Sequence, residues 1–156
     1  MSDQQPAGSM LLRTLAMPAD TNPSGDIFGG WLMAQMDIGG AILAKELSRG
    51  RVVTVAVDAM TFHRPVAVGD VVCVHGLCTH VGRSSIKVKV EVWVKKVANE
   101  PIGERFIVTE AAITYVAVDS HGKPRPIPRE ANPELAAVLA SLASAGATAN
   151  PAPATN

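Results

Sequence analysis

The sequence lacks most of the features that mark a metal protein, a disulfide-rich domain or a membrane protein. Its only cysteines are Cys73 and Cys78, and their spacing is not the C-x-x-C of a metal or redox site. Because side chains alternate along a strand, an odd spacing places these two on opposite faces, and we expect reduced thiols there. No segment has the roughly 18 uninterrupted apolar residues that a membrane span requires.

The chain also lacks an excess of charge of either sign. Fourteen acidic and 14 basic residues give a formal net charge of zero, which argues against a nucleic-acid-binding protein with a large basic surface. A small basic patch for a phosphorylated ligand remains compatible with this composition. The opening residues MSDQQPAGSM lack the basic and then apolar pattern of a signal peptide. We therefore expect a soluble cytoplasmic protein with no membrane partner.

What the chain does have is length and apolar content for one folded domain. Apolar residues make up 47% of its 156 residues, enough to bury a core without disulfides. Residues 1–9 are polar and predicted to be flexible, and residues 10–16 are predicted to form a short strand. Residues 17–30 are rich in Pro, Gly, Asn and Asp, which is typical of a structured loop. Ser24 or Asp26 in that loop is a candidate cap for the next helix.

A helix is predicted over residues 29–47, and strands dominate after it. The strands are predicted at 52–65, 71–81, 86–97 and 105–118, with a turn at GRSS (82–85) in which Gly82 suits a positive φ. In the strand 86–97, valine alternates with lysine and glutamate, which indicates one buried and one wetter face. A single helix that is apolar on nearly every side must be wrapped. The order of elements therefore predicts an α+β fold, a curved antiparallel sheet around a central helix.

The end of the chain changes character. Residues 129–143 are a possible C-terminal helix, with its periodic part at 131–143. Residues 144–156 are Ala, Pro and Thr without periodicity, and they are predicted to be a disordered tail.

The predicted central helix contains one carboxylate, Asp37. The residues three and four positions away, which share its helix face, are all uncharged: Met33, Ala34, Gly40 and Ala41. Burying an unpaired carboxylate costs several kcal/mol. Two interpretations follow. Asp37 pairs with an arginine or a backbone amide at a subunit interface, or it is a general base or nucleophile in an apolar pocket.

Glycine pairs flank this carboxylate. Gly29 and Gly30 open the helix, where free N–H groups and the helix dipole favour negative charge developing on an oxygen. Gly30 precedes Asp37 by two turns on nearly the same face, so a carbonyl polarised there would lie near a water held by Asp37. The alternative is a tight packing turn. Gly39 and Gly40 remove side chains where the sheet approaches the helix.

Three stretches together carry a family resemblance: TNPSGDIFGGWLMAQMDIGGA, VTVAVDAMTFHRPVAVGDVV and VGRSSIKVKVEVW. They resemble hotdog-fold acyl-CoA thioesterases, in particular the small bacterial YciA-like acyl-CoA hydrolases. The resemblance covers about residues 10–128, which it implies to be one hotdog domain. It further implies hydrolysis of acyl-CoA to a free acid and CoA without a metal or other cofactor. Self-association is implied too, as dimers with the active site at their interface and commonly as trimers of dimers.

The resemblance also assigns roles to residues. Asp37 matches the helix carboxylate that activates water or attacks the thioester carbonyl. Asn22 matches a loop asparagine that would face the Asp37 of the other subunit. Gly29 and Gly30 match the glycines whose amides bind the oxyanion. Some relatives have histidine where this chain has Phe28, so a histidine role is excluded at that position.

Residues for the CoA part of the substrate are predicted on the strands. Arg64 and the turn residues Arg83, Ser84 and Ser85 offer guanidinium, hydroxyl and backbone N–H groups that suit phosphates. Lys87 and Lys89 follow on one strand face; the alternative is an ordinary hairpin with solvated lysines. The acyl chain length is not predictable. Its pocket has five candidates, Trp31, Met33, Met36, Met60 and Phe62, with Thr54 and Thr61 as further lining residues.

Two other functions are compatible with the fold. Hotdog hydratases and dehydratases usually need a catalytic histidine, and residues 17–47 contain none, which disfavours them. A non-catalytic acyl-CoA-binding or sensing protein would not require Asp37, and such regulators usually carry a DNA-binding segment that this chain does not show.

Overall fold

The computed structural model describes residues 4–148 as one long helix in the curve of a five-stranded sheet. The strands are β1 (Ser9–Leu15), β2 (Val52–Phe62), β3 (Val71–Val81), β4 (Ser85–Lys95) and β5 (Arg105–Ala117). The helices are α1 (Gly29–Ser48) and α2 (Pro133–Thr148), with a short 3-10 turn at Pro18–Asp20. The sheet order is β1-β3-β4-β5-β2, and every pair is antiparallel. This is the predicted α+β architecture.

The alternation in β4 produces the buried face that the sequence predicts. Its five inward side chains are at most 1% exposed: Ile86, Val88, Val90, Val92 and Val94. The outer face is not uniformly wet, however, because Glu91 is 7% and Trp93 5% exposed. The expectation of a wetter outer face is wrong at these two positions.

The N-terminal segment contacts those buried outer residues. The Ala7 amide donates a hydrogen bond of 2.7 Å to Oε2 of Glu91, and Gln4 and Gln5 line a cavity together with Glu91 and Trp93. The prediction of a flexible segment over 1–9 is therefore wrong for residues 4–9, which dock on the sheet and begin β1. Residues 1–3 lie outside the described part.

The two glycines in the middle of α1 allow the close approach that was predicted. A Cβ on Gly39 would lie 2.8 Å from Cγ1 of Val74, and a Cβ on Gly40 would overlap the hydroxyl of Tyr115. Each glycine costs about 1 kcal/mol of helix propensity relative to alanine. Burial of α1 against the sheet offsets that cost, since Leu32 and other inward residues are almost fully buried.

The sheet covers only one side of α1, so the helix is not wrapped on every side. Ile38 and Ile42 are 50% and 37% exposed on its other side, and Met33 is 43% exposed on the flank of α1 that faces β2. The edge strand β2 has no buried residue, and Val55 and Val57 on it are 54% and 43% exposed. An open, apolar strand edge beside an apolar helix face is typical of a surface that another chain covers.

The C-terminal helix is longer than predicted. It begins after Asn132, whose side-chain oxygen accepts a hydrogen bond from the Leu135 amide as a helix cap does. It continues to Thr148, so the prediction of disorder from residue 144 is wrong for 144–148. The segment is rich in alanine, the residue with the highest helix propensity, and Leu135 anchors it in the core. The rest of the predicted tail, 149–156, lies outside the described residues.

Candidate active site

Asp37 lies near the middle of α1, half-buried in a cleft between this helix and β2. The cleft has a volume of about 280 Å³. Its lining is mostly apolar and consists of Gly30, Met33, Ala34, Asp37, Thr54, Val57, Met60 and Ile113. The carboxylate is thus in an apolar pocket, and Gly30 is in the same pocket two helical turns away.

The carboxylate has two hydrogen-bond donors, and both point to the same oxygen. Oγ1 of Thr54 lies 2.7 Å from Oδ1 of Asp37. The hydroxyl of Tyr115 lies 3.2 Å from Oδ1 and 2.9 Å from the backbone carbonyl oxygen of Asp37. No ion pair of residues 4–148 includes Asp37, so within one chain it is not neutralised by an arginine. Oδ2 has no partner in that range.

Tyr115 projects from β5 towards α1 and contacts Asp37 there. Its side chain is completely buried. Burial raises the pKa of Tyr115 above its usual value, and the negative charge of Asp37 and the hydrogen bond to it raise this pKa further. The phenol therefore stays protonated and serves as a donor. Sequence reasoning missed this residue, although it is the chain's only tyrosine.

Two β-bulges in β2 determine which side chains reach the pocket. The pairing with β5 shifts between Thr54 and Ala56 and again between Asp58 and Thr61. A bulge inserts one residue and so reverses the alternation beyond it. As a result Thr54, Val57 and Met60, each three residues apart, all line the cleft on the helix side.

The amides at the start of α1 are available for a ligand. Within residues 4–148 the N–H groups of Gly29 and Gly30 have no hydrogen-bond partner, whereas the next two amides, of Trp31 and Leu32, point to the carbonyl of Phe28. A Cβ on Gly30 would meet nothing within 4 Å, so packing does not require glycine there. Gly29 contacts Phe62 at 3.5 Å by the same measure and lines a neighbouring cavity of about 320 Å³.

Asn22 organises the loop before α1. Its Oδ1 accepts hydrogen bonds from the amides of Ser24 (2.9 Å) and Asp26 (3.1 Å). The predicted cap at Ser24 or Asp26 is wrong, because both residues belong to this turn and the N-cap is Phe28, which makes no side-chain cap. Within one chain Asn22 does not line the cleft of Asp37.

Arg64 lies beside the helix start. It lines the cavity that contains Gly29, and its Cζ lies 3.5 Å from the centroid of the Phe106 ring. Its Nη1 is 3.7 Å from a carboxylate oxygen of Glu104. Stacking on the ring holds the half-exposed guanidinium beside that cavity.

The register of the sheet places the turn at 82–85 near Thr54, which contacts Asp37. Thr54 pairs with Tyr115, and Tyr115 pairs with Ile86, the residue after the turn. Two strand spacings, about 10 Å, therefore separate the turn from Thr54. The backbone carbonyls of Arg83 and Ser84 accept hydrogen bonds from Ile127 and Ala117, which fixes the turn.

The side chains of this turn are turned towards solvent. Arg83 is exposed and makes no ion pair within residues 4–148, and Ser84 and Ser85 are partly exposed. The expectation of a positive φ at Gly82 is wrong. Glycine fits there for a steric reason, since a Cβ would lie 2.5 Å from Oγ of Ser85.

The two candidate lysines lie on the outer face of the sheet, whereas α1 and Asp37 lie on the inner face. Nζ of Lys89 is 3.9 Å from Glu91 and 4.0 Å from Glu110. These carboxylates compete with any phosphate for Lys89. Lys87 makes no such ion pair among the described residues and is nearer the turn.

Of the five candidates for the acyl pocket, Met33 and Met60 line the cleft with Asp37. Phe62 lines the cavity beside Gly29. Met36 is completely buried in the core, and Trp31 packs against that core. Residues 4–148 contain no group of three His, Cys, Asp or Glu residues able to hold a metal ion, and no described helix is long and apolar enough to cross a membrane.

The cysteines offer no alternative nucleophile in this cleft. Cys78 belongs to the core, whereas Cys73 pairs with Trp93 on the outer face, as predicted from their odd spacing. Burial raises the pKa of the Cys78 thiol, which disfavours the reactive thiolate.

Comparison with known proteins identifies the family. Residues 24–100 match the thioesterase superfamily. A Haemophilus influenzae protein described as an uncharacterized acyl-CoA thioester hydrolase is 67% identical over 139 residues, which are 89% of this chain and 90% of that protein. The acyl-CoA thioester hydrolase YciA of Salmonella typhimurium is 68% identical over 126 residues, 81% of this chain and 95% of that protein.

A solved structure agrees. It is an alanine mutant, at one aspartate, of a hexameric broad specificity acyl-coenzyme A thioesterase, with 66% identity and a TM-score of 0.86. The match covers 88% of this chain and 99% of that one. With the helix-in-sheet fold and the half-buried carboxylate described above, these similarities show that the chain belongs to the thioesterase superfamily and, within it, to the hotdog-fold acyl-CoA thioester hydrolases.

Proposed function

We propose that this protein hydrolyses acyl-CoA thioesters to a free acid and CoA, with Asp37 as the reacting carboxylate. One observation carries the proposal: Asp37 has a free oxygen, Oδ2, in an apolar cleft that it shares with the unpaired amide of Gly30. A thioester carbonyl bound at that amide would lie between an electrophilic N–H group and a carboxylate.

Two chemical routes fit this geometry. In the first, Asp37 takes a proton from water, and the oxygen of that water attacks the carbonyl carbon. In the second, Oδ2 attacks the carbon itself, and water then hydrolyses the resulting mixed anhydride. In both routes the Gly29 and Gly30 amides stabilise the tetrahedral oxyanion, the C–S bond breaks, and the thiolate of CoA leaves and takes up a proton.

Self-association would complete the cleft. The exposed apolar side of α1 and the open edge of β2 adjoin Asp37, and the hexameric state of the similar solved structure supports assembly of this chain. We propose a dimer formed across these elements and a trimer of such dimers. In this assembly the partner's Asn22 would face Asp37. Its Nδ2, unpaired within residues 4–148, would orient the water or the carbonyl.

The CoA part of the substrate would run from the helix start to the turn. Arg64, Arg83, Ser84 and Ser85 would contact its phosphates, with Lys87 nearby. Lys89 is the weakest candidate because two glutamate carboxylates already lie within 4.0 Å of its ammonium group. Met33 and Met60 adapt their shape easily, which favours several acyl chain lengths, in line with the broad specificity of the similar enzyme.

The proposal is tested by thiol release from a panel of short and long acyl-CoAs. Wild type should release CoA, and Asp37→Asn should lose at least about 10²-fold in kcat, the lower end for a positioned base. The activity of wild type should fall on acidification as the carboxylate protonates. Asp119→Asn, outside the cleft, is the matched control.

The alternatives predict different results. Tight acyl-CoA binding without turnover by wild type and Asp37→Asn alike would indicate a sensor. A hydratase would consume enoyl-CoA without releasing thiol, but no histidine lines the cleft of Asp37. A role in fatty acid metabolism, a cytoplasmic location and independence from cofactors stay predictions.

A further inference from the structure

We propose that Tyr115 and Thr54 are positioning residues that hold Oδ1 of Asp37 and so present Oδ2 to the reactants. The role assigned to them rests on the proposed function. Both hydroxyls contact the carboxylate of Asp37, and the role that we assign to them is exerted through it.

The geometry singles out one oxygen. The two hydroxyls come from neighbouring strands, β2 and β5, at positions that pair in register. They converge on Oδ1 at 2.7 and 3.2 Å, and hydrogen bonds to a carboxylate are stronger than those between neutral groups. A carboxylate without such donors can rotate and exchange its two oxygens. Rotation would break the hydrogen bond from Thr54 and the Oδ1 branch of the bond that the single Tyr115 proton shares with the Asp37 carbonyl, so Oδ2 stays in the cleft.

Tyr115 also fixes the helix that carries Asp37. Its hydroxyl lies 2.9 Å from the backbone carbonyl oxygen of Asp37, so one side chain contacts both the carboxylate and the backbone of the same residue. Since Tyr115 is completely buried, its hydroxyl depends on these acceptors, and leaving a buried donor unpaired is costly. The contact is therefore obligatory in the folded chain.

Gly40 makes room for this contact. A Cβ at that position would overlap the Tyr115 hydroxyl and lie 3.1 Å from its Cζ. The glycine thus lets the phenol pass under the helix to reach Asp37, three residues earlier. This gives Gly40 a purpose beyond general close packing.

The proposal predicts a specific change in pH dependence. Hydrogen bonds to the charged form of a carboxylate favour that form. Removing one donor should therefore move the acid limb of the pH–rate profile to higher pH. Apart from Tyr115, no other titratable or charged side chain of the described residues contacts Asp37 or lines its cleft. A shift of the acid limb in these variants would therefore come from Asp37.

The test uses Tyr115→Phe and Thr54→Val, which remove the hydroxyls, and Thr54→Ser, which keeps one. For the first two, kcat should fall about 10-fold or more, with a smaller change in KM and an acid limb at higher pH. Thr54→Ser should restore most of kcat and the wild-type limb. Thr109→Val is the control, because Thr109 is equally buried on β5 and its hydroxyl donates to the carbonyl of Thr61 instead. It should lose stability without moving the limb.

Two outcomes would overturn the positioning role. Tyr115→Phe and Thr54→Val with the wild-type kcat and acid limb would show that the hydroxyls do not matter. Loss of kcat in proportion to the unfolded fraction, with an unchanged limb, would show a structural role alone. A wild type that releases no thiol, or a fully active Asp37→Asn, would instead reject the proposed function. The Tyr115–Asp37 contact itself is checked without turnover, because the absorption of the single tyrosine should report ionisation at lower pH in Asp37→Asn than in wild type.

Discussion

The buried phenol of Tyr115 should make this protein less stable at alkaline pH, and Tyr115→Phe should remove that contribution. Burial, and then the charge and hydrogen bond of Asp37, raise the pKa of Tyr115 in the folded state. In the unfolded chain the phenol titrates near its ordinary value of about 10. The folded state therefore retains a proton that the unfolded state releases. The stabilisation from this group is complete below about pH 10 and is lost as the pH rises towards the folded-state value.

The size of the effect follows from linkage. When only the unfolded phenol ionises, the free energy of unfolding decreases by about 1.4 kcal/mol per pH unit above the unfolded pKa. Between about pH 9 and about pH 11, wild type should thus lose about 1.4 kcal/mol relative to Tyr115→Phe, which has no ionisable group there. Lysines and other groups that titrate in this range are common to both proteins, so their contributions cancel in the difference.

The measurement is urea unfolding of both proteins at the two pH values and at one protein concentration, because assembly makes stability depend on concentration. The difference between their free energies of unfolding should narrow or reverse at the higher pH. If that difference were the same at both pH values, the phenol would titrate normally in the folded state. The contact with Asp37 would then not shield it, and the reasoning from burial would be refuted.

Two further predictions concern other buried positions. Gly40→Ala should displace Tyr115, cost about 1–3 kcal/mol of overpacking and move the acid limb of the activity profile to higher pH. Gly39→Ala, whose Cβ would lie 2.8 Å from Val74, should lower the stability of the protein similarly but keep the wild-type acid limb. The same acid limb in Gly39→Ala and Gly40→Ala would contradict this expectation. Burial lowers the pKa of His75, and this effect exceeds the opposing effects of the Gly8 backbone and the Glu91 carboxylate. The unfolded chain therefore takes up a proton at this histidine before the folded chain does. Wild type should lose stability relative to His75→Gln as the pH falls below about 6.5. Parallel urea-unfolding curves from neutral to acidic pH would exclude that.

The regular part of the fold was predictable because its pattern is local. Alternation in β4 indicates one buried face of a sheet directly, and the glycine pair within α1 indicates close packing. The predicted strand ends differ from the observed ends by at most three residues. Asp37 was also identifiable from the sequence as a candidate site residue, because burying a lone carboxylate among apolar residues costs free energy.

The parts that failed depend on contacts that are distant in sequence. Docking of residues 4–8 requires Glu91, which is 84 residues from Ala7, and nothing in the polar N-terminal segment indicates that acceptor. The end of α2 failed for a different reason. Composition suggested disorder from residue 144, but alanine favours a helix once a neighbouring turn already packs on the core.

The lining of the cleft shows how little displacement is needed to hide a site from sequence reasoning. Strict alternation would put residues 54 and 57 on opposite faces of β2. Two bulges bring Thr54, Val57 and Met60 to the same side, and a shift of one residue decides that outcome. Tyr115 was equally hidden, since its partner Asp37 lies 78 residues away and its inward position is that of an ordinary core residue.

The contact between Tyr115 and Asp37 explains why a helix would keep a glycine pair that lowers its own propensity. Gly39 and Gly40 together cost about 2 kcal/mol relative to alanine. Gly39 makes room for an apolar side chain, that of Val74. A smaller residue at position 74 would remove the need for glycine at position 39. Gly40 is different, because the nearest atom that a Cβ there would overlap is the hydroxyl oxygen of Tyr115, and that hydroxyl is a donor to Asp37. The second glycine is therefore tied to the carboxylate, whereas the first is tied only to the packing of the sheet.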